Sequence, residues 1–197
     1  MSGDIAVPGT TNTISFYTNA LNVKHSGVDV VVTSGFDWGS NANTDITLAY
    51  GYNKVNVTSQ KPINGVNPVS DALIEDIENN YPNHRFTLTG NTFFGEKFNV
   101  LGRLNFYGSH FDERGRIGAA VDPSAKIDAI VFVDMELGYQ ATDNIRIAAG
   151  GTNIFDSFID AVGPPNANRL SVGLQYPRRS AANYEGGSWY LKGIYSW

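Results

Sequence analysis

The side chains best suited to binding a ligand lie close together near the C-terminal end of the chain. Tyr176-Pro-Arg-Arg179 is followed within a few residues by Asn183-Tyr184. Aromatic rings stack on ligands and guanidinium groups pair with anions, so this segment predicts contact with an anionic ligand. We assign the predicted contact to Tyr176, Arg178, Arg179 and Tyr184. The competing interpretation is that these side chains only order their own loop.

Other groups that bind metals or catalyse reactions form no recognisable pattern. His25, His84 and His110 are far apart and lack the spacing of metal ligands, which favours a solvated position for each. The acidic run over residues 71–78 lacks the spacing of a calcium-binding loop. No nucleophile, base and orienting group are arranged as covalent catalysis requires. We therefore predict no metal, no cofactor and no enzymatic activity.

The composition narrows the class of protein further. The chain has 197 residues, of which 42% are hydrophobic, 17% are charged and 12% are aromatic. A formal net charge of −5 and a pI near 5.1 provide no basic stripe for nucleic acid. The sequence contains no cysteine, which excludes disulfides and cysteine-ligated metals. No apolar run approaches the roughly 18 residues of a membrane-spanning helix.

Apolar and polar residues alternate with a period of two through most of the chain, which predicts β-strands. In the last ten residues, Trp189, Leu191, Tyr195 and Trp197 occupy one parity, with Gly193 in the same row. Ser70 is expected to cap one helical turn carrying Leu73 and Ile77 in a long loop. We predict a single all-β domain over residues 1–197, with eight strands near 13–21, 27–38, 44–57, 85–94, 98–110, 128–140, 144–151 and 188–197.

The predicted connections alternate between short and long from the second strand onward. Transmembrane β-barrels have this arrangement, with short periplasmic turns and long extracellular loops. Charged residues occur in the middle of strands on the non-aromatic parity, as a water-filled or plugged lumen requires: Arg85, Arg103, Asp134, Glu136 and Arg146. We therefore predict an antiparallel transmembrane barrel wall with a periplasmic C-terminus. Two alternatives stay open, namely a soluble β-sandwich binding module and a complete small outer-membrane barrel with a structural or adhesion role.

Several motifs resemble the C-terminal part of TonB-dependent outer-membrane receptors. In that family a strand, a Thr-Asp-Asn turn and a second strand lead to Asn-Leu-Phe-Asp, and residues 133–156 follow this order to Asn153-Ile-Phe-Asp156. Phe16-Tyr-Thr-Asn19, followed by Ser26-Gly-Val-Asp29, is similar to the family's strand pair. Asn80-Tyr-Pro-Asn-His-Arg85 is similar to its Pro-x-x-Arg motif at the start of a strand. The final segment, 186–197, resembles the receptor terminus, with Trp where Phe is usual.

The resemblance implies a bacterial outer-membrane protein that takes part in energised uptake of a siderophore, a cobalamin or an oligosaccharide. Its implied partners are outer-membrane lipid, the barrel assembly machinery, and the remainder of the receptor barrel and its plug. Residues Asn153, Phe155 and Asp156 are expected to organise the base of a loop, and Tyr195 and Trp197 to form an assembly signal.

The opening residues lack the features of a secretion signal. We therefore expect that an export signal was removed, or that the chain is a piece of a longer protein that began upstream. Because the resemblance covers only the C-terminal barrel wall, without the plug and the segment that contacts TonB, it implies a receptor fragment that is not competent for transport alone. Eight strands can close as a small barrel or remain an open sheet, and the sequence does not decide between them.

Overall fold

The part of the chain that the structure describes is organised around one antiparallel sheet of seven strands. The computed structural model describes residues 2–6, 13–17, 19–39, 41–112, 125–161, 175–177, 180–182 and 184–197. The strands of the sheet, in chain order, are β3 (Leu21–Asp37), β4 (Ala42–Gln60), β5 (His84–Phe94), β6 (Phe98–Tyr107), β9 (Ile130–Gln140), β10 (Ile145–Thr152) and β11 (Ser188–Tyr195). Smaller elements are β1 (Ser2–Ala6), β2 (Thr13–Tyr17), the helix α1 (Asp71–Asn79), β7 (His110–Asp112) and β8 (Ala125–Ile127).

Each strand of the main sheet pairs with its neighbour in the order β11-β10-β9-β6-β5-β4-β3. Within the described residues the sheet is open, with β3 and β11 as its two edges. The predicted all-β antiparallel architecture is confirmed, and of the two arrangements that the sequence left undecided the structure has the open one. No helix in the described part of the chain is both long and apolar enough to cross a membrane.

Short and long connections lie at opposite ends of the strands. Residues 38–41, 95–97 and 141–144 join strands at one of these ends, which we call the short-turn edge. Residues 61–83, 108–129 and 153–187 join them at the other, the long-loop edge. The C-terminal residues lie at the short-turn edge, where the Ser196 amide donates to the Asn144 carbonyl at 2.9 Å.

The register gives the sheet two chemically different faces, because residues paired across antiparallel strands project to the same side. One row is aliphatic across five strands: Val32, Leu48, Leu88, Leu104 and Val133. The adjacent row on the opposite face is polar: Thr33, Thr47, Thr89, Arg103 and Asp134. We call these surfaces the apolar face and the polar face. Val32, Leu48 and Leu88 are exposed, whereas a β-sandwich would bury this row against a second sheet.

The first two strands of the sheet, β3 and β4, extend beyond the others at the long-loop edge. They have 17 and 19 residues, against about 9 to 11 for a tilted membrane span. Beyond Tyr52, which pairs with the first residue of β5, no strand among the described residues lies beside the second side of β4. The helix α1 covers this edge, and Glu78 Oε1 accepts a hydrogen bond from the Val57 amide at 2.7 Å. The helix therefore satisfies a backbone group that the sheet leaves unpaired.

Ser70 caps α1, since its hydroxyl accepts a hydrogen bond from the Leu73 amide at 3.2 Å. The helix has nine residues, and so is longer than the single turn expected from the sequence. Residues 22–26, which separate the first two predicted strands, instead belong to β3. Polar residues are compatible with a strand there because this part of β3 is exposed on both faces.

The described residues include two short pairs of strands outside the main sheet. The predicted strand 13–21 is represented by β2, which pairs with β1 rather than with the main sheet. The predicted strand 98–110 is interrupted at Gly108, after which β7 pairs with β8 from the segment expected to be a loop. Gly108 lies close to the backbone of β5, where its amide donates to the His84 carbonyl at 2.9 Å. A Cβ at this position would lie 2.9 Å from that same oxygen.

Candidate functional site

The third long loop begins with a turn that is fixed by two residues with positive φ. Asn153 and Asp156 have φ angles of 48° and 52°, a region that Asn and Asp adopt more readily than most residues. The Asn153 side chain spans the turn, accepting from the Ser157 amide at 3.0 Å and donating to the Ser157 carbonyl at 2.9 Å. The turn thus has its own hydrogen bonds at the point where β10 ends.

This turn is also joined to the sheet and to the far end of the loop. The Asn153 backbone amide donates to Asp134 Oδ1 at 2.9 Å. The Asp156 carboxylate accepts from the Gly187 amide at 2.7 Å, one residue before β11 begins. Residues 153–156 therefore hold together the two ends of the loop that carries the predicted ligand-contact residues. The Phe155 side chain is largely exposed.

The described part of the loop forms a row of three aromatic rings. The centroids of Phe158 and Tyr176 are 5.9 Å apart with 8° between the ring planes. Those of Tyr176 and Tyr184 are also 5.9 Å apart, with 21° between the planes. We call these three residues the aromatic stack. Near-parallel rings at this separation attract each other and present a shared apolar surface.

The outer members of the aromatic stack are accessible and the central one is anchored. Tyr184 is 51% exposed and Phe158 is 44% exposed. Tyr176 packs against a small core that lies at the long-loop edge and includes Ile127, Phe132, Ile159 and Ala182. This core, called the loop core below, joins the second long loop, β9 and the third long loop. The loop core therefore holds the central ring of the stack in place, while the two outer rings face solvent.

The structure thus brings together two of the four predicted ligand-contact residues, Tyr176 and Tyr184. The other two, Arg178 and Arg179, lie outside the described residues. Sequence reasoning missed Phe158, the third member of the stack. The only signal for Phe158 was an aromatic residue shortly after the Asn-Ile-Phe-Asp turn, and its partner is 18 residues away in sequence.

The polar face below the loops carries a network of charged and amide side chains. Glu136 accepts from the Tyr190 hydroxyl at 2.8 Å and pairs with Lys192 at 3.0 Å. Arg146 lies 3.8 Å from Glu136 and donates to Asn99 Oδ1 at 2.8 Å. Four strands therefore share one network of polar contacts. A surface of this kind is suited to water or to a polar protein segment, and unsuited to hydrocarbon.

A second ladder of polar contacts lies nearer the long-loop edge. Asp134 Oδ2 accepts a hydrogen bond from the side-chain amide nitrogen of Asn105 at 3.1 Å. The side-chain oxygen of Asn105 in turn accepts from the Thr87 hydroxyl at 3.2 Å. Arg85 donates to the Tyr107 hydroxyl at 3.1 Å and lies over the same ring, 4.7 Å from its centroid. The cationic and amide groups of the polar face are thus held in fixed positions by neighbouring strands.

The three histidines occupy separate positions. His25 lies on the exposed part of β3, and His84 Nδ1 contacts the Tyr50 hydroxyl at 2.8 Å. His110 is buried, and burial lowers its pKa below the ordinary value of 6.5. In the described residues no three His, Cys, Asp or Glu side chains converge as metal ligands.

Near His110, Lys126 of β8 forms an exposed ion pair with Asp128, at 2.8 Å. Hydrogen bonding to Asp128 raises the pKa of Lys126. Because both side chains are exposed, this pair contributes little to stability.

Residues 2–154 match the family model described as TonB dependent receptor-like, beta-barrel. The match includes all strands of the main sheet except β11, together with the start of the turn at Asn153. No curated protein matches the chain.

Proposed function

This chain belongs to the TonB-dependent receptor-like β-barrel family, and on that premise we propose that its sheet is a section of a receptor barrel wall engaged in nutrient uptake. Membership of this family implies the bacterial outer membrane and a transport role rather than an enzymatic one. The apolar face contacts lipid, and the polar face lines the barrel interior. The aromatic stack lies at the mouth of the barrel, where an incoming ligand is first met.

The observation that carries this proposal is the distribution of side chains on the apolar face. Aromatic residues border it at the short-turn edge, as Trp38, Phe94, Phe98, Tyr139, Tyr195 and Trp197, and at the long-loop edge, as Tyr50, Tyr52, Phe86, Phe106 and Trp189. Between them lie aliphatic residues: Leu48, Leu88, Leu104, Leu137 and Leu191. An apolar band between two aromatic girdles is the lipid-facing pattern of outer-membrane barrels.

The unpaired edge strands, β3 and β11, support the proposal that the sheet is part of a larger barrel. Unpaired backbone groups of β3 and β11 would be costly in hydrocarbon, because lipid offers no hydrogen-bonding partner. We propose that further strands of the receptor barrel pair with these edges. Transport then depends on the whole receptor, including a plug and energisation through TonB, rather than on this section alone.

The orientation of the sheet in the membrane follows from the positions of the short-turn edge and the long-loop edge. Outer-membrane barrels place short turns in the periplasm and long loops outside the cell. We therefore propose that the aromatic stack is extracellular and that Trp197 is periplasmic. Tyr176, Tyr184 and the two arginines between them are proposed to contact the ligand. Siderophores, cobalamins and oligosaccharides are the proposed ligand classes, and Tyr195 and Trp197 are proposed to contribute to recognition by the assembly machinery.

Quenching of tryptophan fluorescence by brominated lipids tests the proposed orientation in the membrane. The chain has three tryptophans, Trp38, Trp189 and Trp197, and their exposures are 69%, 78% and 100%. In the full chain reconstituted in bilayers, lipids brominated near the headgroup should quench this fluorescence more than lipids brominated near the chain end. The reason is that all three rings lie near an edge of the apolar band. Tryptophans that are quenched by aqueous acrylamide and unaffected by brominated lipid would refute the proposal.

A further inference from the structure

His110 lies where the second and third long loops meet. It is the first residue of β7 and only 4% exposed. Its Nδ1 is 3.2 Å from the Gly108 carbonyl oxygen, and its Nε2 is 3.3 Å from the Ala181 amide nitrogen. The first contact lies within its own loop, whereas the second reaches 71 residues along the chain to the loop that carries the aromatic stack.

These two contacts together define the protonation state of the imidazole. A carbonyl oxygen only accepts hydrogen bonds, so Nδ1 must carry a proton. A backbone amide only donates, so Nε2 must carry a lone pair and no proton. Both hydrogen bonds therefore exist together only in the neutral Nδ1–H tautomer. Protonation at Nε2 would place two N–H groups against each other and remove the bond to Ala181.

The bond to Ala181 continues into the aromatic stack through the loop core. Ala182, the next residue, is 2% exposed and belongs to the loop core with Ile127, Phe132 and Ile159. Tyr176 packs against that same core and forms the centre of the stack. His110 thus holds the segment 180–182 against the surface on which Tyr176 rests.

We infer that His110 is a positioning residue, whose neutral imidazole holds the third long loop in place and makes the arrangement of the aromatic stack dependent on pH. The imidazole acts through Ala181 and the loop core, and does not itself touch a ligand. That the aromatic stack contacts a ligand rests on the proposed function. The attachment of the loop by His110 does not.

The surroundings of the imidazole favour its neutral form near neutral pH. Burial lowers the pKa of His110, while the hydrogen bond to Gly108 and the charge of Asp112 oppose this to a smaller extent. Glu75 from α1 and Lys126 from β8 line the same cavity of about 300 Å³ as His110. They carry opposite charges, so their effects on the imidazole oppose each other. A second acidic residue of α1, Asp76, is also buried.

The sign of the pH dependence follows from the lowered pKa. A histidine that is buried in its neutral form contributes its full stabilisation above the unfolded pKa of about 6.5. That contribution is lost progressively as the pH falls from this value through the lowered folded pKa. The loop should thus be attached at neutral pH and released in acid.

Two substitutions separate the effect of the hydrogen-bond acceptor from the effect of protonating the imidazole. His110→Gln can place an amide oxygen near the position of Nε2, so it keeps an acceptor for Ala181 that does not titrate. His110→Leu keeps an apolar side chain and removes the acceptor at every pH. The two variants thus bracket the wild-type protein, which should resemble the first at neutral pH and the second in acid.

The test is amide hydrogen exchange of the full chain in detergent or bilayers at about pH 7.5 and about pH 5, on either side of the ordinary imidazole range. Rates are corrected for the intrinsic pH dependence of exchange. Protection of the Ala181 amide should fall by up to tenfold in the wild-type protein for each pH unit between the ordinary imidazole pKa of about 6.5 and the lowered pKa. It should stay high in His110→Gln and low in His110→Leu at both pH values, while residues 130–140 of β9 stay protected throughout.

A fluorinated tyrosine at position 184 reports on the stack in the same samples. Its ¹⁹F resonance should shift with pH in the wild-type protein and remain constant in His110→Gln. Equal protection of Ala181 in all three proteins would overturn the inference, as would release of Ala181 without a change at Tyr184. Neither readout needs a ligand, a plug or TonB, so failure of this inference leaves the proposed function untouched. Failure of the lipid-quenching experiment, in turn, leaves the loop attachment standing.

Discussion

The Tyr190 hydroxyl donates a hydrogen bond to Glu136 Oε2 at 2.8 Å, reaching from β11 to β9 across Gly150 of the strand between them. A Cβ at position 150 would lie 2.5 Å from the Tyr190 hydroxyl oxygen and 2.8 Å from the Met135 carbonyl oxygen. The absence of a side chain on β10 is therefore what allows Tyr190 to lie across it. This contact ties together the last three strands of the sheet, β9, β10 and the edge strand β11.

Gly150→Ala should destabilise the β9–β11 region by about 1–3 kcal/mol, the cost of losing a hydrogen bond to a charged carboxylate and displacing its partners. The measurement is urea unfolding of the full chain in detergent. Gly193→Ala is the matched control, because a Cβ at that position meets nothing within 4 Å. The control should be neutral or slightly stabilising, since alanine restricts the unfolded chain. Equal losses in the two variants would show that Tyr190 does not depend on Gly150.

Asp156→Ala should loosen the base of the third long loop. The substitution removes the acceptor for the Gly187 amide and places a less tolerant residue at a φ of 52°. The expected loss in free energy of unfolding is about 1–3 kcal/mol, with faster hydrogen exchange at Gly187. Asp156→Asn retains an oxygen acceptor and the tolerance for positive φ, so its loss should be smaller. An alanine variant as stable as the asparagine variant would contradict this role of the carboxylate.

Ser70→Ala should weaken α1 by about 1 kcal/mol, because the Leu73 amide loses its capping acceptor. The effect should appear at β4, where Glu78 of the helix accepts from the Val57 amide. Hydrogen exchange at Val57 should accelerate about fivefold, which corresponds to that energy. Ser70→Asn preserves a capping oxygen and should exchange at the wild-type rate. If Val57 exchanges equally in both variants, the helix does not protect the edge of β4.

The architecture of the main sheet was largely predictable from the sequence. Alternation places residues such as Leu48 and Thr47 on opposite faces whatever the partner strand is, because the period of a strand is a local property. The helix signal at Ser70 was equally local. What the alternation did not give was the start of β3. Residues such as Asn22 and Lys24 lie in a part of β3 that is exposed on both faces, where no burial pattern marks a strand.

The arrangement of the loops was less accessible to sequence reasoning. Tyr176 and Tyr184 are close in sequence and were predicted to act together, but Phe158 joins them only through the folded loop. The hydrogen bond from Ala181 to His110 spans 71 residues and involves a backbone amide, which has no side-chain signature. For the same reason His110 was assigned a solvated position in the sequence, whereas the structure buries it.

The most direct test of the account compares an arginine on each face of one strand. Leu48 lies on the apolar face and Thr47, its neighbour on β4, lies on the polar face. In the full chain folded into lipid bilayers, Leu48→Arg should lower the free energy of unfolding by about 2–4 kcal/mol, and Thr47→Arg should leave it nearly unchanged. Equal losses, or a larger loss for Thr47→Arg, would contradict the assignment of the apolar face to lipid.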